Sequence, residues 1–372
     1  MYRKKVCHII SGYYRLDARV FLRQCKTLKK KDFEVIVLTN DGNGDEVIDS
    51  IPFYDCPIHL ESRLKVFIFA KKQFIKKAIE IDADIYQIHS PELIGLGLSL
   101  KRMGKKVIYD AHEDLPRHIL EKEWIPRVLR RVISIAAEFY LNHSLKRFDF
   151  NITPHTHVYK NFSKKGIKVE LIENFPLVKK SKNFTLEQYL KRKNTICYTG
   201  TVYSFSNQQT IVKALKDLDY IRYEIAGFIE NNEHLKLRSS LQERFKFWGR
   251  LTPPELSLFY RNSKIGFVLY DYLLNLGGRL GSYGTNKIFE YMEEGLPFIC
   301  TDYVLWKNIC DKYRCGIYIE PGNFNELKKT ILWLINNPTI AYNMGQNGKR
   351  AVREEYNWNF VEEKYLNIFK NI

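Results

Sequence analysis

The chain has 372 residues, of which 45% are hydrophobic, 27% charged and 14% aromatic, values that predict a globular protein with two domains and exclude a mainly disordered chain. No apolar run is long enough to cross a bilayer, which excludes an integral membrane protein. The net charge of +17 predicts a polyanionic neighbour: a nucleic acid, a phosphorylated small molecule or an anionic membrane surface.

In the first half of the chain, short β-branched or aromatic runs alternate with helical stretches. The helical stretches include 19–31 and 91–103, where apolar residues recur at three- and four-residue steps. Strands are expected at 5–10, 33–39, 84–89, 106–110, 148–153 and 168–172. This alternation predicts a parallel sheet covered by helices on both faces.

The pattern breaks between 175 and 194, where Pro176 and clustered Lys, Arg and Asn residues indicate a linker. It then restarts, with helices near 207–217, 253–262 and 286–294 and a helical tail over 323–370. Strands are expected at 195–200, 223–227, 245–248, 265–270, 298–301 and 316–319. The sequence therefore predicts an α/β protein with two doubly wound, Rossmann-like domains facing a cleft.

The predicted domains are 1–176, a linker at 177–194, and 195–372, with the C-terminal helix able to pack back onto the first domain. The N-terminus has too short an apolar stretch for a signal peptide, so we expect a cytosolic chain. The seven cysteines are scattered and form no Cys-x-x-Cys pair, which favours reduced, buried thiols over disulfides or a zinc site.

A glycine-rich loop, 277–284, leads into a helix for which Thr285 is a suitable N-cap residue. Gly295 and Pro297 mark its end. A helix that begins after such a loop offers free backbone amides and the positive end of its dipole to a phosphate. Glu290, one turn further, could accept both hydroxyls of a ribose; the alternative is a solvated helix residue beside a mobile loop.

The segment Asn286-Lys-Ile-Phe-Glu-Tyr-Met-Glu-Glu-Gly-Leu-Pro-Phe-Ile299 resembles the "Lys-Leu-Phe-Glu-Tyr-Met-Ala-x-Gly-x-Pro-Val-Ile" segment of bacterial GT-B glycosyltransferases of the family 4-like group. The resemblance implies that Glu290 holds the nucleotide ribose and that the backbone from Thr285 to Lys287 meets the diphosphate. It implies a donor-binding set of Gly200, Gly227, Gly249, Arg250, Arg279, Ser282, Thr285, Asn286, Lys287 and Glu290.

Further segments resemble the same family in order and spacing, from about residue 5 to 370. They include Val107-Ile-Tyr-Asp-Ala-His112-Glu113, Glu173-Asn-Phe-Pro176 and Trp248-Gly249-Arg250. The resemblance implies a catalytic position for His112 near the reacting end of the donor, with Glu113 and Asp110 as rivals. Arg15 and Asp17, after the first strand, are assigned to the acceptor side or to a donor phosphate; alternatively they pair with each other.

The sequence departs from the family pattern in two places, so the family does not determine the identity of the donor or its binding geometry. The family often carries a second glutamate eight residues before the first, where this chain has Ser282. The loop 200–209 contains no cation, so the charge of the diphosphate falls to Arg250, Arg279 or Lys287 and the helix dipole. A degenerate, inactive member of the family is the alternative.

The resemblance implies a retaining transferase that takes a nucleotide sugar as substrate and needs no cofactor. We expect no metal, because no Asp-x-Asp pair is present and cations with a helix N-terminus can carry the charge. His155 and His157 suggest a metal site at first sight, but no third ligand lies nearby in the sequence.

Two basic segments, 63–77 and 117–147, combine apolar faces with Lys and Arg, as helices at a membrane interface do. The alternative for each is a core-facing helix with a solvated basic side. With the charge and the family, they favour docking to the inner face of the cell membrane. The expected acceptor is a glycan or an undecaprenyl-linked sugar of surface polysaccharide such as O-antigen or capsule.

Two other functions stay open at this point. A sugar-nucleotide epimerase of the same fold needs no acceptor and no membrane partner. A nucleic-acid-binding protein would account for the charge, but no zinc finger, aromatic RNA-binding strand or helix-turn-helix is recognisable, and the basic residues are dispersed. We therefore expect no nucleic-acid partner.

Overall fold

The computed structural model describes residues 3–56, 63–178 and 184–372, and for 63–71 it describes the backbone alone. The chain divides into two compact units. The first contains the residues up to Asn174 together with Trp358–Ile372, and the second is Phe175–Asn357. The sequence prediction ends the two domains at 176 and 372, with the C-terminal helix able to pack back onto the first domain.

In the described part of the first unit, eight strands form one sheet. In chain order they are β1 (Lys5–Ile9), β2 (Glu34–Thr39), β3 (Glu46–Ile48), β4 (Ile51–Asp55), β5 (Ile85–Ile88), β6 (Lys106–Asp110), β7 (Phe150–Thr153) and β8 (Val169–Leu171). Their order across the sheet is β3-β4-β2-β1-β5-β6-β7-β8. Every pair is parallel except β3 with β4.

The β3–β4 hairpin is absent from the sequence prediction. Asp49 and Ser50 connect its strands, and both have positive φ, 49° and 62°, as a two-residue type I′ turn requires. Ile48 pairs with Ile51 across the turn. β3 has three residues, none of them buried, and β4 has five, of which Ile51 and Phe53 are buried. Two buried positions give too short a pattern for a period-2 signal.

Helices cover the sheet of the first unit, and the core lies between the two layers. Phe74 and Ala78 of one helix, for example, pack in one cluster with Tyr86 of β5 and Val107 of β6. The helical segments are Ala18–Cys25, Lys26–Lys30, Arg63–Ile81, Pro91–Leu93, Ile94–Arg102, Leu115–Glu121, Arg127–Leu145, Thr156–Lys164 and Trp358–Lys370.

The C-terminal helix Trp358–Lys370 belongs to the first unit, although the whole second unit, Phe175–Asn357, separates it from the rest of that unit's chain. Trp358 Nε1 donates to Thr27 Oγ1 at 2.9 Å, and Tyr365 Oη donates to Gln87 Oε1 at 2.8 Å. Both aromatic side chains are buried. The helix is therefore tied to the first sheet by polar contacts inside an apolar interface.

In the described part of the second unit, six strands form a wholly parallel sheet. They are β9 (Thr195–Thr201), β10 (Arg222–Phe228), β11 (Phe245–Phe247), β12 (Ile265–Val268), β13 (Phe298–Thr301) and β14 (Gly316–Ile319), in the order β11-β10-β9-β12-β13-β14. With the first sheet, they confirm the predicted α/β class with two parallel sheets.

Helical segments also connect the strands of the second unit. They are Leu186–Leu190, Gln208–Leu215, Asn231–Leu241, Gln242–Arg244, Pro253–Asn262, Leu274–Leu276, Gly278–Leu280, Asn286–Glu293, Val304–Tyr313, Phe324–Asn336 and Pro338–Glu354. The first of these lies inside the predicted linker 177–194, of which 179–183 fall outside the described residues. Its Tyr189 is buried and donates to Lys264 O at 3.0 Å, so this part of the segment packs on the unit.

None of the helices in the described ranges combines the length and the apolarity that a bilayer crossing demands. The seven cysteines all lie within these ranges and are buried thiols.

Candidate functional site

Three glycines mark the carboxyl ends of neighbouring strands in the second unit, and we call Gly200, Gly227 and Gly249 the glycine edge. Gly200 and Gly227 are paired across β9 and β10, and Gly227 N donates to Gly249 O at 2.7 Å. A Cβ atom at Gly227 would lie 2.2 Å from Gly200 O, so no side chain fits there. Bare backbone is thus exposed to any ligand at this end of the sheet.

The helix Asn286–Glu293 begins after the glycine-rich loop, as predicted, with Thr285 at the N-cap position. The Thr285 side chain makes no capping hydrogen bond. The Asn286 Oδ1 atom is buried and lacks a hydrogen-bond partner among the described residues. Gly295 follows the helix with φ +66°, the left-handed conformation of a C′ residue. The first turn therefore keeps the amides and dipole that attract an anion.

Lys287 brings a cation to the glycine edge from that first turn. Its Nζ donates to Tyr270 Oη at 2.6 Å and lies 5.0 Å from the centre of the Tyr198 ring. A Cβ atom at Gly200 would come within 3.0 Å of the same Nζ. Of the three cations that the sequence offers for a diphosphate, Lys287 reaches Gly200, Arg250 is exposed next to Gly249 in the chain, and Arg279 stacks on Tyr272 at 4.4 Å.

Glu290 is half-buried on the same helix, three residues after Lys287. Tyr260 Oη donates to Glu290 Oε2 at 2.7 Å and lies 3.2 Å from Thr199 Oγ1. Tyr260 is buried, and burial together with the Glu290 charge raises its pKa well above the usual tyrosine value. It therefore stays a hydrogen-bond donor that orients the Glu290 carboxylate.

Ser282, where the family often has a glutamate, is fully buried. Its hydroxyl accepts from Gly284 N at 2.9 Å, and its carbonyl accepts from Trp306 Nε1 at 2.9 Å. The preceding Gly281 has φ +76°, and a Cβ atom there would lie 2.6 Å from Tyr303. The Ser282 side chain, predicted to bind the donor, therefore holds the loop together instead of facing solvent.

In the first unit, the strand ends carry polar side chains, and we call His8, His89, Asp110 and His112 the histidine network. His8 Nδ1 lies 2.9 Å from His89 Nε2, and His89 Nδ1 lies 3.3 Å from His112 Nε2. Asp110 Oδ2 lies 3.4 Å from His89 Nδ1 and 3.3 Å from His112 Nε2. His8, His89 and Asp110 are wholly buried, whereas the His112 side chain is 16% exposed.

Arg19 holds Asp110 in a buried, bidentate ion pair. Its Nε and Nη2 donate to the two carboxylate oxygens at 2.9 and 2.8 Å, while Nη1 donates to Ile172 O and to Asn174 Oδ1. Burial works to raise the pKa of Asp110, but the Arg19 guanidinium and the neighbouring histidines hold it well below the usual range. Asp110 is therefore a fixed carboxylate that orients its neighbours and does not take up protons near neutral pH.

Burial lowers the pKa of His8 and His89, so both stay neutral and act as hydrogen-bond partners. His112 is the member of the network that reaches solvent. Its carbonyl accepts from His155 Nε2 at 2.7 Å, and its ring lies 5.0 Å from that of Tyr13. The predicted rival Glu113 is half-exposed and pairs with His118. The geometry thus favours His112 as the polar group offered to a substrate.

The fold is one that solved glycosyl-transfer enzymes share. Sucrose-phosphate synthase from Thermosynechococcus elongatus superposes with a TM-score of 0.77 at 14% identity, over 99% of each chain. WaaG, described as a glycosyltransferase involved in lipopolysaccharide biosynthesis, gives 0.73 at 13% identity, over 98% of this chain and 99% of the other. HepE from Anabaena, solved in complex with UDP and glucose, gives 0.70 at 12% identity, over 100% of each chain.

Sequence comparison supplies the family. An uncharacterized glycosyltransferase of Methanocaldococcus jannaschii is 24% identical over 315 residues, or 82% of this chain and 71% of that protein. The model described as Glycosyltransferase Family 4 matches residues 18–175, and the model described as Glycosyl transferases group 1 matches residues 179–351. The chain belongs to the GT-B glycosyltransferases. The predicted family and the predicted transferase activity are both confirmed.

The transferase has one group of side chains with metal-like spacing in its described ranges: His89, Asp110 and His112, whose ligand atoms lie within 4.8 Å of one another. Both oxygens of Asp110 already accept from Arg19, so a metal ion would have to bind beside a buried cation. His157 lies 3.5 Å from Asp114 rather than in such a group. That the enzyme works without metal stays a prediction.

Arg15 and Asp17, assigned to the acceptor side, have structural partners. Arg15 is 5% exposed and donates to Asp41 at 2.7 Å and to Glu46 at 3.0 Å. Asp17 caps the helix Ala18–Cys25 by accepting from Arg19 N and Val20 N. The alternative that the two pair with each other is not what the structure shows: Arg15 bonds to residues that follow β2, and Asp17 caps a helix.

The sequence analysis assigns no site role to four residues: His8, His89, Arg19 as partner of Asp110, and Tyr260. His89 directly follows β5, and the rule that strand ends carry the site could have singled it out. Arg19 and Asp110 are 91 positions apart, and Tyr260 reaches Glu290 from a neighbouring helix. Only the folded chain brings these pairs together.

Proposed function

We propose that the second unit binds a nucleotide-sugar donor at the glycine edge. Glu290 accepts the ribose hydroxyls, Lys287 and the first turn of the helix Asn286–Glu293 hold the diphosphate, and Arg250 and Arg279 supply further charge at a greater distance. The observation that carries the proposal is the Lys287 ammonium, held against Gly200 at the start of an uncapped helix. The UDP bound by HepE is consistent with it.

The reaction we propose is a retaining sugar transfer that needs no metal ion. Departure of the nucleoside diphosphate builds up negative charge, and the Lys287 ammonium and the helix dipole are fixed groups that stabilise it. Asp110 and the buried histidines orient His112, the polar contact proposed for the reacting sugar. Glu113 is the second candidate for that role.

The acceptor proposed is a glycan or an undecaprenyl-linked sugar in surface polysaccharide assembly, reached at an anionic membrane surface. The helix Arg127–Leu145 turns Val128, Val132, Ile135 and Phe139 to solvent, with exposed fractions of 84, 63, 69 and 75%. We call these four residues the apolar stripe. They recur at the four- and three-residue steps of one helical face.

Charge supports an anionic surface as the partner of the stripe. Arg127 and Arg131 are exposed on the same helix, Trp124 precedes it with 74% exposed, and the whole chain carries +17. An apolar face flanked by cations and an aromatic side chain is typical of helices that lie in a lipid interface. The other basic segment, 63–77, lies largely outside the residues whose side chains are described.

A thermal-shift screen against a panel of nucleotide sugars tests the donor site. We expect one nucleotide to raise the melting temperature, because a ligand bound by the native state stabilises it. Glu290→Ala should lose most of that shift while Glu243→Ala, an exposed glutamate of the same unit, keeps it. An unchanged shift in Glu290→Ala would exclude its ribose role.

Co-sedimentation with phosphatidylglycerol vesicles at low salt tests the membrane proposal. The double variant Val128→Ser/Val132→Ser should bind about tenfold or more weakly, because two exposed apolar side chains are lost from the interface. Val47→Ser, a change at a 67% exposed valine of the same unit, serves as control. Wild-type protein that ignores the vesicles, or a double variant that binds equally, would refute docking through the stripe.

A further inference from the structure

The first unit contains a cavity of about 190 Å³ among the helices Leu115–Glu121, Arg127–Leu145 and Thr156–Lys164. That volume corresponds to about six water molecules. It can take a single sugar ring or a phosphate group, and it is smaller than the several hundred Å³ of a pocket for a whole nucleotide.

The helix Arg127–Leu145 presents polar side chains to the cavity as well as apolar ones to the core. Its solvent side carries the apolar stripe, whereas Ser134, Glu138 and Asn142 line the cavity together with the buried Leu141. A helix that only covers a core places apolar residues inward and polar residues outward. Ser134 Oγ donates to Pro116 O at 2.8 Å and Glu138 pairs with Lys165, so the Asn142 carboxamide is the group of this helix that the cavity offers to a polar ligand.

The charge of the cavity lining distinguishes between the two ligands that fit by size, a sugar ring and a phosphate group. The cavity is lined by two cations and two carboxylates, and they form two ion pairs, Arg117 with Asp114 and Lys165 with Glu138. The lining thus has no net charge. A phosphate group would have to separate an existing ion pair, whereas a neutral ligand leaves both pairs in place.

The remaining lining fits a sugar. Asn142 and Asn161 contribute carboxamides, each of which can donate to one hydroxyl and accept from another. Leu120 and Phe162 contribute apolar surface for the C–H faces of the ring. This mixture of amides, paired charges and apolar side chains matches a neutral, hydroxyl-rich molecule.

We propose that this cavity is a binding subsite for one neutral sugar residue of the acceptor, an inference that rests on the proposed transfer to a glycan. Asp114 connects the cavity to the catalytic side of the unit: it follows His112 by two residues and lies 3.5 Å from His157. The apolar stripe lies on the other side of the same helix. A lipid-linked acceptor at the membrane would thus have its sugar next to the segment that carries His112.

Saturation-transfer NMR without nucleotide tests the subsite. The probes are methyl glycosides of glucose, galactose, mannose, N-acetylglucosamine and rhamnose, with inorganic phosphate as competitor. We expect saturation transfer to at least one glycoside, unaffected by phosphate. Asn161→Leu, which removes one carboxamide and adds apolar bulk to the lining, should weaken the signal about fivefold or more. Ser163→Leu, an exposed position two residues along the same helix, should leave it unchanged.

Three results would overturn the subsite: no transfer to any glycoside, equal transfer in Asn161→Leu and wild type, or displacement of the glycoside by phosphate. The thermal shift with nucleotide sugars separates this inference from the donor proposal. If glycosides bind as expected and nucleotide sugars give no shift, the donor proposal fails and the subsite stands. If nucleotide sugars shift the wild type and Asn161→Leu alike while glycosides do not bind, the subsite fails alone.

Discussion

At the carboxyl ends of its strands, the first unit carries His8, His89 and Asp110, all fully buried in a hydrogen-bonded network. At the same ends of the second unit stand Gly200 and Gly227, which present only backbone. One unit thus fixes the position of a single accessible side chain, His112, by packing charged and polar groups behind it. The other leaves room for a ligand and supplies charge from one lysine and one helix end.

Mutations in the two units should therefore affect different properties, stability in the first and ligand binding in the second. A change in the histidine network leaves buried polar groups without partners, so stability should fall first. A change at the glycine edge should act chiefly on ligand binding, because its polar groups face the ligand. The predictions below test this contrast.

The largest effect is expected from Arg19→Met, which leaves the Asp110 carboxylate buried without its cation. The free energy of unfolding should fall by about 3–5 kcal/mol, as measured by urea denaturation. Hydrogen exchange should assign the loss to β1, β5 and β6. Arg238→Met, at an exposed helical position of the second unit, is the control and should change stability by less than about 0.5 kcal/mol. Equal stability of Arg19→Met and wild type would contradict the account of the network.

Gly227→Ala is the exception in the second unit. It should lower stability as well as ligand binding, because the backbone around Gly227 is tightly packed. Its Cβ atom would lie 2.2 Å from Gly200 O at a φ of +141°, so the two strand ends must separate. We expect a loss of about 2 kcal/mol or more in the free energy of unfolding, together with loss of the nucleotide-induced thermal shift. Gly278→Ala, with positive φ but open space around it, should keep the shift; if both variants keep it, close strand contact is not needed for binding.

Acid should destabilise the first unit selectively. Burial lowers the pKa of His8 and His89, and it lowers the pKa of His155 to about 4 from 6.5. Between those two values the unfolded chain binds more protons than the folded chain. The stabilisation is therefore complete above pH 6.5 and is lost as the pH falls towards 4, by up to about 1.4 kcal/mol per pH unit for each histidine.

Urea denaturation at a series of pH values measures this loss, and hydrogen exchange assigns it to one unit. Asp110 also faces His89, but its pKa is held well below the usual range, so the histidines carry the dependence. His155→Gln should flatten part of the curve. A loss of protection confined to the strands of the second unit would contradict the prediction.

The smallest effect is expected from Tyr260→Phe, which removes the hydrogen bond to Glu290. The loss of one hydrogen bond costs about 1 kcal/mol of folding stability, and the donor should bind about three- to tenfold more weakly because the carboxylate is no longer oriented. Tyr272→Phe removes a comparable hydrogen bond to Asp302 and is the matched control. Calorimetric titration gives both affinities; equal values would show that Tyr260 does not position Glu290.

The sequence predicts the fold better than the site, and particular residues show why. Strand periodicity and helix caps are local, so the helices Pro253–Asn262 and Asn286–Glu293 lie within one residue of their predicted positions. The pairings Arg19–Asp110 and Tyr260–Glu290 join residues 91 and 30 positions apart, which no local pattern reveals. Ser282 shows the opposite case: the family resemblance predicts a donor contact, and the structure shows a side chain buried within its own loop.

Calorimetric titration of Lys287→Met tests most directly the claim that one lysine and one helix end hold the diphosphate. The titrants are the nucleoside diphosphate of the best donor in the thermal-shift screen and the corresponding nucleoside. We predict that Lys287→Met binds the diphosphate about tenfold or more weakly than wild type and binds the nucleoside with unchanged affinity. Unchanged affinity for the diphosphate, or an equal loss for both ligands, would contradict the account.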